Sequence, residues 1–202
     1  MKFGPKYKIA RKVGAPVFEK TQTQKFVMRE ARKKAAKTSK PRAKTDYGLK
    51  LLEKQKARYS YGLGERQFSN YVKKAVKNKG DSANSLLSTL ESRLDNAVLR
   101  SGIVTTRAFA RQIVTHGHIL INGKKATFPS YQVKVGDIIA IREGSKKSPM
   151  FSTLSEKMKT YNTPSWLAFN LEKMEWKIQG VPTIARTELL FDVGVILEFY
   201  SR

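Results

Sequence analysis

The 202-residue chain contains no cysteine. It therefore cannot form disulfides, build a thiolate zinc site or use a thiol nucleophile. Histidine is almost as scarce, since the chain has only His116 and His118, which belong to one H-G-H triplet. Without cysteine or a nearby acidic cluster, this triplet lacks the further ligands of a metal site. We expect no metal, no cofactor and no catalytic residue.

Long apolar runs are missing as well. No stretch approaches the roughly 18 consecutive apolar residues of a membrane-spanning helix, and no apolar segment typical of a secretory signal follows the N-terminus. These absences predict a soluble cytoplasmic protein without a membrane partner.

Acidic side chains are few, with 16 Asp and Glu against 40 Lys and Arg, and the formal net charge is +24. The excess is greatest in residues 1–58, which carry 19 basic and 4 acidic side chains, whereas residues 145–202 carry 8 and 6. Such self-repulsion indicates a polyanionic partner. Nucleic acid is the leading candidate, and an anionic membrane surface is the rival.

Composition and hydrophobic spacing predict four parts. Residues 1–45 are a basic arm with too few apolar residues to form a core, so we expect the arm to order only against its partner. Helical spacing predicts an all-helical body over residues 46–91. Residues 92–144 are predicted to be a small inserted module. Residues 145–202 are expected to pack back onto the helical body, with short strands at 166–171, 174–178 and 193–200 after a helix at 150–161.

The predicted module begins with two helical patterns. The first places Leu94, Ala97 and Val98 on its inner face and turns its polar side chains, Arg93, Asn96 and Arg100, to the opposite side. The second is capped by a threonine and carries two outward arginines one turn apart. A hairpin follows, because the Asn-Gly pair at 122–123 supplies the positive φ angles of a type I′ turn, and a buried strand closes the module.

Four arginines are predicted to share one surface of the two helices: Arg93, Arg100, Arg107 and Arg111. Each guanidinium group can fork onto a phosphate. Further candidate RNA contacts in the module supply charge, neutral hydrogen-bond donors or a stacking ring: Thr106, Gln112, His116, Asn122, Lys124, Lys125 and Tyr131. A solvated arginine face is the alternative, which is disfavoured because lysine or glutamate normally shares such a face and acidic side chains are scarce here.

An aspartate in the tripeptide R-L-D, Asp95, is similar to the catalytic aspartate of pseudouridine synthases. A carboxylate early in a helix also interacts with the positive end of the helix dipole and can pair with Arg93 or Arg100. We interpret Asp95 as structural, because no separate catalytic domain surrounds it.

The motifs R-L-D-N-x-V-x-R-x-G, T-R-x-x-A-R-Q-x-V, I-N-G and P-S-Y-x-V-x-x-G-D-I-I, between residues 93 and 139, resemble the RNA-binding module named after the fourth small-subunit ribosomal protein (S-four). Its flanks, G-P-K-x-K, D-Y-G-L-K-L-x-E-K-Q-K, Y-G-L-x-E-R-Q-F and E-F-Y-S-R, are similar to the bacterial or organellar ribosomal protein itself. The resemblance covers nearly the whole chain. It implies an α+β fold in which the C-terminal segment completes a helical body and a helix-helix-strand module of alpha-L type is inserted.

The resemblance also implies a function. A member of this family is a primary binder of small-subunit rRNA that docks on a five-way helical junction of the 5′ domain and nucleates assembly of the subunit body. Its implied partners are ribosomal protein S-five, through which it influences decoding accuracy, other small-subunit proteins, and mRNA near the channel through which mRNA enters. The implied location is a cytoplasmic ribosome, with an organellar ribosome as the alternative.

Candidate RNA contacts outside the module lie in the arm and in the helical body: Lys6, Lys8, Arg11, Lys12, Arg42, Lys44, Tyr47, Lys54, Lys56, Arg58 and Arg66. The contacts near the mRNA channel would be sought among Lys40, Arg42 and Lys44. Two features depart from the family pattern. The four N-terminal zinc cysteines of many members are absent, and residues 20–44 do not show the P-G-Q-H-G-like segment that zinc-free members often carry.

Two other functions compete with the leading hypothesis, which is binding to small-subunit rRNA. An RNA-modifying enzyme could use the module for delivery, but residues 145–202 are too short and too poor in suitable groups for a catalytic domain. A translational regulator that binds structured mRNA is compatible with rRNA binding, because a protein that recognises a folded rRNA can bind a mimic in its own message.

Overall fold

The computed structural model describes residues 3–35, 45–78 and 80–201. The candidate contacts Arg42 and Lys44, with Lys40, lie outside the described residues. Among the described residues, no helix is both long and apolar enough to span a bilayer.

The described residues form ten α-helices and five strands, with two short 3₁₀ helices at Glu19–Thr21 and Arg186–Glu188. The helices are α1 (Lys6–Val13), α2 (Gln24–Ala35), α3 (Asp46–Ser60), α4 (Glu65–Lys77), α5 (Ser82–Glu91), α6 (Leu94–Arg100), α7 (Arg107–Thr115), α8 (Glu143–Lys146), α9 (Leu154–Thr160) and α10 (Val193–Ser201). The strands are β1 (Ile119–Ile121), β2 (Lys124–Ala126), β3 (Ile138–Ile141), β4 (Leu167–Asn170) and β5 (Glu175–Ile178). This composition confirms the predicted α+β class.

The chain divides into two compact units, Met1–Leu86 with Ala185–Arg202, and Leu87–Ile184. The first, which we call the helical unit, contains helices throughout its described residues. Helix α4 buries Phe68, Val72 and Ala75, which share one helical face at spacings of four and three residues. Helix α10 packs against α3 and α4 in this unit.

The last helix corrects a prediction, because residues 193–200 were expected to form a strand. Their β-branched and aromatic content favours a strand, but a short apolar run fits either structure by periodicity alone. In α10, Val193 and Ile196 lie three residues apart and are both buried. A helix brings these two side chains to one face, whereas a strand would turn them to opposite faces.

The second unit, Leu87–Ile184, which we call the sheet unit, is built on five antiparallel strands in the order β2-β1-β3-β5-β4. The hairpin β1–β2 pairs Ile121 with Lys124 across the predicted turn, where Asn122 and Gly123 have φ angles of 50° and 77°. Helices α6 and α7 pack against each other, and the unit's core includes Leu94, Ile113 and Ile139.

The expected boundary between the module and the C-terminal segment, at residue 144, is wrong. Strand β5 pairs with β3, with Ile139 opposite Trp176, and therefore extends the sheet of the module. Trp176 is fully buried in the same core as the module's helices. Residues 145–184 thus belong to the sheet unit, and of the C-terminal segment only Ala185–Arg202 joins the helical unit.

Candidate nucleic-acid interface

Two buried carboxylates lie among the predicted arginines. Glu91 is 0% exposed and Asp95 is 4% exposed. A buried charge is costly unless it is paired and hydrogen-bonded, so each carboxylate should hold cationic partners. The arginines near α6 and α7 are these partners.

Asp95 bridges two arginines. Arg93 donates from Nε to Oδ1 at 3.0 Å and from Nη2 to Oδ2 at 2.8 Å. Arg111 of α7 donates to Oδ2 from Nε at 3.2 Å and from Nη2 at 2.7 Å. Asp95 lies in the first turn of α6, where its charge also suits the helix dipole. These contacts hold α6 and α7 together through charge-assisted hydrogen bonds.

Glu91 organises the second pair of arginines. Its Oε2 accepts from Asn96 Nδ2 at 2.6 Å and from Arg100 Nε at 3.1 Å. The Oδ1 of the same asparagine accepts from Arg107 Nε at 3.0 Å. Asn96 therefore connects the buried carboxylate to an arginine on the neighbouring helix.

The predicted outward orientation of Arg93 and Asn96 is wrong, because each is only 1% exposed. Arg93 is the residue that precedes α6, so helical periodicity does not set its direction. It turns inward to pair with Asp95, which is the pairing that the sequence allowed. Arg93 therefore positions its neighbours and does not present a guanidinium group at the surface.

Three of the four arginines reach the surface. The side chains of Arg100 and Arg111 are 23% and 24% exposed, and Arg107 is also partly exposed. Their bonds to buried groups restrict the rotamers of long side chains that would otherwise lose entropy on binding. With four guanidinium groups against two carboxylates, the network keeps a positive charge. We call Arg100, Arg107 and Arg111 the arginine surface.

Other predicted contacts lie along α7 and the hairpin. Gln112 and His116 are exposed on or just after α7, and Lys124 is exposed on β2. The stem of Lys125 crosses the end of α7, because a Cβ at Gly117 would lie only 1.9 Å from its Cε. Gly117, with a φ of 74°, thus permits both the helix end and this close approach.

Two predicted neutral donors have structural roles. The hydroxyl oxygen of Thr106 accepts from the backbone N–H of Phe109 at 3.2 Å and caps α7. The side-chain amide of Asn122 donates to Asp137 at 2.8 Å and accepts from the backbone N–H of Ile138 at 2.9 Å. Asn122 therefore attaches the hairpin turn to the start of β3.

The loop after the hairpin is fastened to the start of α6. The carbonyl groups of Tyr131 and Pro129 accept from the first backbone N–H groups, of Leu94 at 2.8 Å and Asp95 at 3.1 Å, which have no partner within the helix. This loop exposes the rings of Tyr131, at 40%, and Phe128, at 74%. The sequence reading missed Phe128, although an aromatic residue ahead of P-S-Y in a basic stretch was a usable signal. It also missed Glu91, although a rare acidic residue next to these arginines was a usable signal, and it did not predict that Asn96 links Glu91 to Arg107.

Candidates in the helical unit fall into two groups. The first group is at the surface: Lys6 is half-buried, and the exposed members are Lys8, Arg11, Lys12, Tyr47 and Arg66. In contrast, three candidates on α3 are engaged within the fold: Lys54, Lys56 and Arg58. Lys56 pairs with Glu53, and Arg58 binds Gln55 Oε1 at 2.9 Å.

The expectation that Lys54 contacts RNA does not fit its place in the fold. Lys54 is 8% exposed, and its Nζ lies 2.7 Å from Glu65 Oε1. The Lys54 Nζ also lies 4.8 Å from the ring centre of Phe199. The cation thus joins α3, α4 and α10 inside the helical unit.

Comparison with known proteins shows two family matches that meet at the start of the module. Residues 2–91 match the family described as the ribosomal protein S4/S9 N-terminal domain, and residues 92–139 match the S4 domain. The chain is 42% identical to small ribosomal subunit protein uS4 of Roseiflexus castenholzii over 201 residues, which cover 98% of each chain. It is 46% identical to the uS4 protein of Acetivibrio thermocellus over 158 residues, 78% of this chain and 76% of the relative. It is 40% identical to that of Chromobacterium violaceum, again over 98% of each chain.

Proposed function

The chain belongs to the uS4 family of small ribosomal subunit proteins, a structural and non-enzymatic family, and from this premise we propose that it binds a folded junction of small-subunit rRNA through the arginine surface. The observation that carries this proposal is the network in which Glu91, Asn96 and Asp95 hold Arg100, Arg107 and Arg111, respectively, in set positions at the surface. Such an array suits phosphates whose positions are fixed by RNA folding.

The mechanism follows from the chemistry of the array. Cations that neutralise phosphates release condensed counterions, and this release supplies most of the sequence-independent affinity. The deep major groove of A-form RNA hides its base edges from side chains, so shape and backbone contacts decide the fit. Rings such as Tyr131 can add stacking where a junction exposes an unpaired base.

The finer roles are proposed on the family pattern. We infer that the chain docks on the five-way junction of the 5′ domain, nucleates assembly of the subunit body, contacts ribosomal protein S-five, and contributes to decoding accuracy and to the channel through which mRNA enters. The basic character of residues 1–58 supports contact with further RNA. Chemical footprinting of the full chain on small-subunit rRNA tests the docking site, and protection confined to another domain would contradict it.

Substitution of Arg107 by alanine tests the arginine surface. A lost charged hydrogen bond of about 1.5 kcal/mol lowers rRNA affinity roughly tenfold, and one lost phosphate contact makes the salt dependence of log K shallower by about 0.9. Thermal stability should change little, because the Arg107 side chain is partly exposed and bonds a neutral amide. Lys177→Ala is the matched control, since Lys177 is an exposed cation on β5 of the same unit. Equal losses for both variants would contradict a specific arginine surface.

A further inference from the structure

The two edges of the sheet differ in how they are guarded. Among the described residues, β2 is one edge strand and β4 is the other. An edge strand leaves a row of backbone N–H and C=O groups unpaired, and proteins protect such rows with charged side chains, lysine above all. Strand β2 follows this pattern, since two of its three residues are the exposed Lys124 and Lys125. Strand β4, with the sequence L-A-F-N, carries neither a charged residue nor a proline.

The register shows which backbone groups of β4 face the free edge. The Gln179 N–H donates to the Trp166 carbonyl group at 2.9 Å, and hydrogen-bonded pairs alternate along an antiparallel ladder. Two residues further on, Ala168 therefore bonds to β5, whereas Phe169 turns its N–H and C=O away from β5. These outward groups can pair with an added strand.

The hairpin that carries this edge is fixed before a partner binds. At the end of β4, Asn170 Oδ1 accepts from the backbone N–H groups of Glu172 at 3.0 Å and of Lys173 at 3.2 Å. Met174 has a φ of 54°, in the left-handed region, and its half-buried side chain packs against the core of the sheet unit. A preorganised edge loses less entropy when a ligand binds.

A groove on the outer face of the sheet lies beside this edge. It has a volume of about 630 Å³ and is lined by residues of β3, β4, β5 and the turn between β4 and β5. Ile138 of β3 and Ala168 of β4 both lie opposite Lys177 of β5, so these three residues share the outer face. Leu171 of the turn, at 48% exposed, adds further apolar surface to the groove.

The charges that line the groove are balanced. Glu172 and Glu175 line it together with Lys173 and Lys177, whereas the whole chain carries 40 basic and 16 acidic side chains. Balanced charge does not favour a polyanion, so the groove does not suit RNA as the arginine surface does. A second copy of the chain is also a poor occupant, because two copies of net charge +24 repel each other. A polypeptide segment with apolar side chains and no net negative charge fits the groove.

We propose that β4 accepts an extended segment of another protein as a sixth strand of the sheet. The added strand bonds to the backbone of Phe169, its outer side chains extend the apolar surface at Ala168 and Leu171, and a cation within it pairs with Glu172 or Glu175. Strand addition of this kind obtains affinity from main-chain hydrogen bonds and specificity from side-chain contacts. The site goes beyond the proposed function, because it takes a polypeptide and uses none of the residues of the arginine surface.

The probe is a labelled, blocked ten-residue peptide in which valine alternates with threonine and a lysine stands at each end. Its positive charge excludes simple attraction to a chain of net charge +24. Fluorescence anisotropy with the full chain should show saturable binding, because main-chain hydrogen bonds do not depend on the peptide sequence. The same peptide with proline in place of each threonine lacks the N–H groups and should not bind. Absence of binding by the first peptide, or equal binding by both, would overturn the proposal.

Ala168→Lys gives β4 the kind of guard that β2 carries. It should weaken binding of the peptide about tenfold or more, the equivalent of one or two lost hydrogen bonds. Ser165→Lys is the matched control, since it adds the same charge at an exposed position just before β4, and it should bind as the unchanged chain does. Equal weakening by the two variants would contradict strand addition. Arg107→Ala should leave peptide binding unchanged, so failure here is distinct from failure of the arginine surface.

Amide hydrogen exchange followed by NMR needs no substitution and therefore covers the case in which Ala168→Lys unfolds the sheet. Because the Phe169 N–H faces the free edge, the peptide should slow its exchange. On the other edge, Ile121 and Lys124 close the ladder of the hairpin, so the N–H of Lys125 faces outward and serves as the control. Its exchange should not change. Equal protection of both amides, or none at Phe169, would count against the added strand.

Two further measurements test the other occupants. Sedimentation equilibrium of the chain alone should show a monomer, and a dimer that Ala168→Lys disrupts would assign the edge to a second copy and overturn the proposal. Small-subunit rRNA added to the peptide complex should leave the peptide bound. Release of the peptide by rRNA would assign the groove to RNA and would equally overturn the proposal.

Discussion

Individual side chains around Asp95 show what spacing predicts and what it misses. The sequence placed four arginines near two adjoining helices, and three of them reach the surface. It did not predict that Arg93 turns inward, because a residue just before a helix does not follow the helical period. Nor did it predict the role of Asn96, since the partner Glu91 lies before the stretch that carried the motif. Pairing across elements is decided by tertiary packing, which local patterns do not encode.

Asp95→Asn should damage both stability and binding. The change removes the carboxylate that the buried Arg93 shares with Arg111, and breaking a buried ion pair costs about 3–5 kcal/mol. It also releases Arg111 from its position on the arginine surface. Urea unfolding and rRNA binding of the same variant measure the two effects. Glu156→Gln, which removes an exposed carboxylate on α9, should change neither. An Asp95→Asn chain of unchanged stability would show that the pairing contributes nothing.

At the scale of elements, helices with strong amphipathic spacing were predictable and the C-terminal one was not. Helices α3 and α4 and strands β4 and β5 lie where the sequence indicated. Helix α10 differs because its residues are nearly all apolar, so the partner surface decides its structure. Helices α3 and α4 supply that surface. The Lys54 ammonium group of α3 lies near the Phe199 ring of α10, and Tyr200 Oη of α10 donates to Glu65 Oε1 of α4 at 3.1 Å.

Glu65 should make the helical unit sensitive to acid. Desolvation alone would raise the pKa of Glu65, but the hydrogen bond and charge of Lys54, the Tyr200 hydroxyl and the charge of Arg58 together lower this pKa below 4.5. A lowered pKa in the folded state stabilises the fold above the ordinary pKa, and this contribution is lost as the pH falls through the folded value.

Glu65→Gln should therefore destabilise the chain at about pH 7, and the difference from the unchanged chain should shrink as the pH falls below about 4.5. Thermal unfolding of both chains between about pH 7 and pH values below about 4.5 measures this difference in stability. The exposed Glu156 again provides the control, because its replacement by glutamine should give no such pH-dependent difference. If the difference in melting temperature between Glu65→Gln and the unchanged chain stayed constant with pH, that result would contradict the role given to the ionised Glu65 carboxylate.

At the scale of the whole molecule, the sequence predicted four parts, whereas the chain divides into two compact units. The basic N-terminal region and the module were recognisable from charge and motif. The joining of β5 to β3 was not, because Ile139 and Trp176 are far apart in the sequence and no local signal marks which strands pair. Strand pairing across such a separation depends on the completed core, and Trp176 at 0% exposed belongs to that core.

The net charge of +24 should give the unbound chain and its rRNA complex opposite responses to salt. Salt screens self-repulsion, so the melting temperature of the chain alone should rise with ionic strength. Free rRNA at a concentration of about 100 times its dissociation constant adds about 2.7 kcal/mol of stability. With several phosphate contacts, affinity falls about 10³- to 10⁵-fold between 50 and 200 mM salt, which removes this gain. Melting curves with and without rRNA should therefore converge as salt increases. If the stabilisation by rRNA persists undiminished at high salt, phosphate neutralisation is not what holds the complex together.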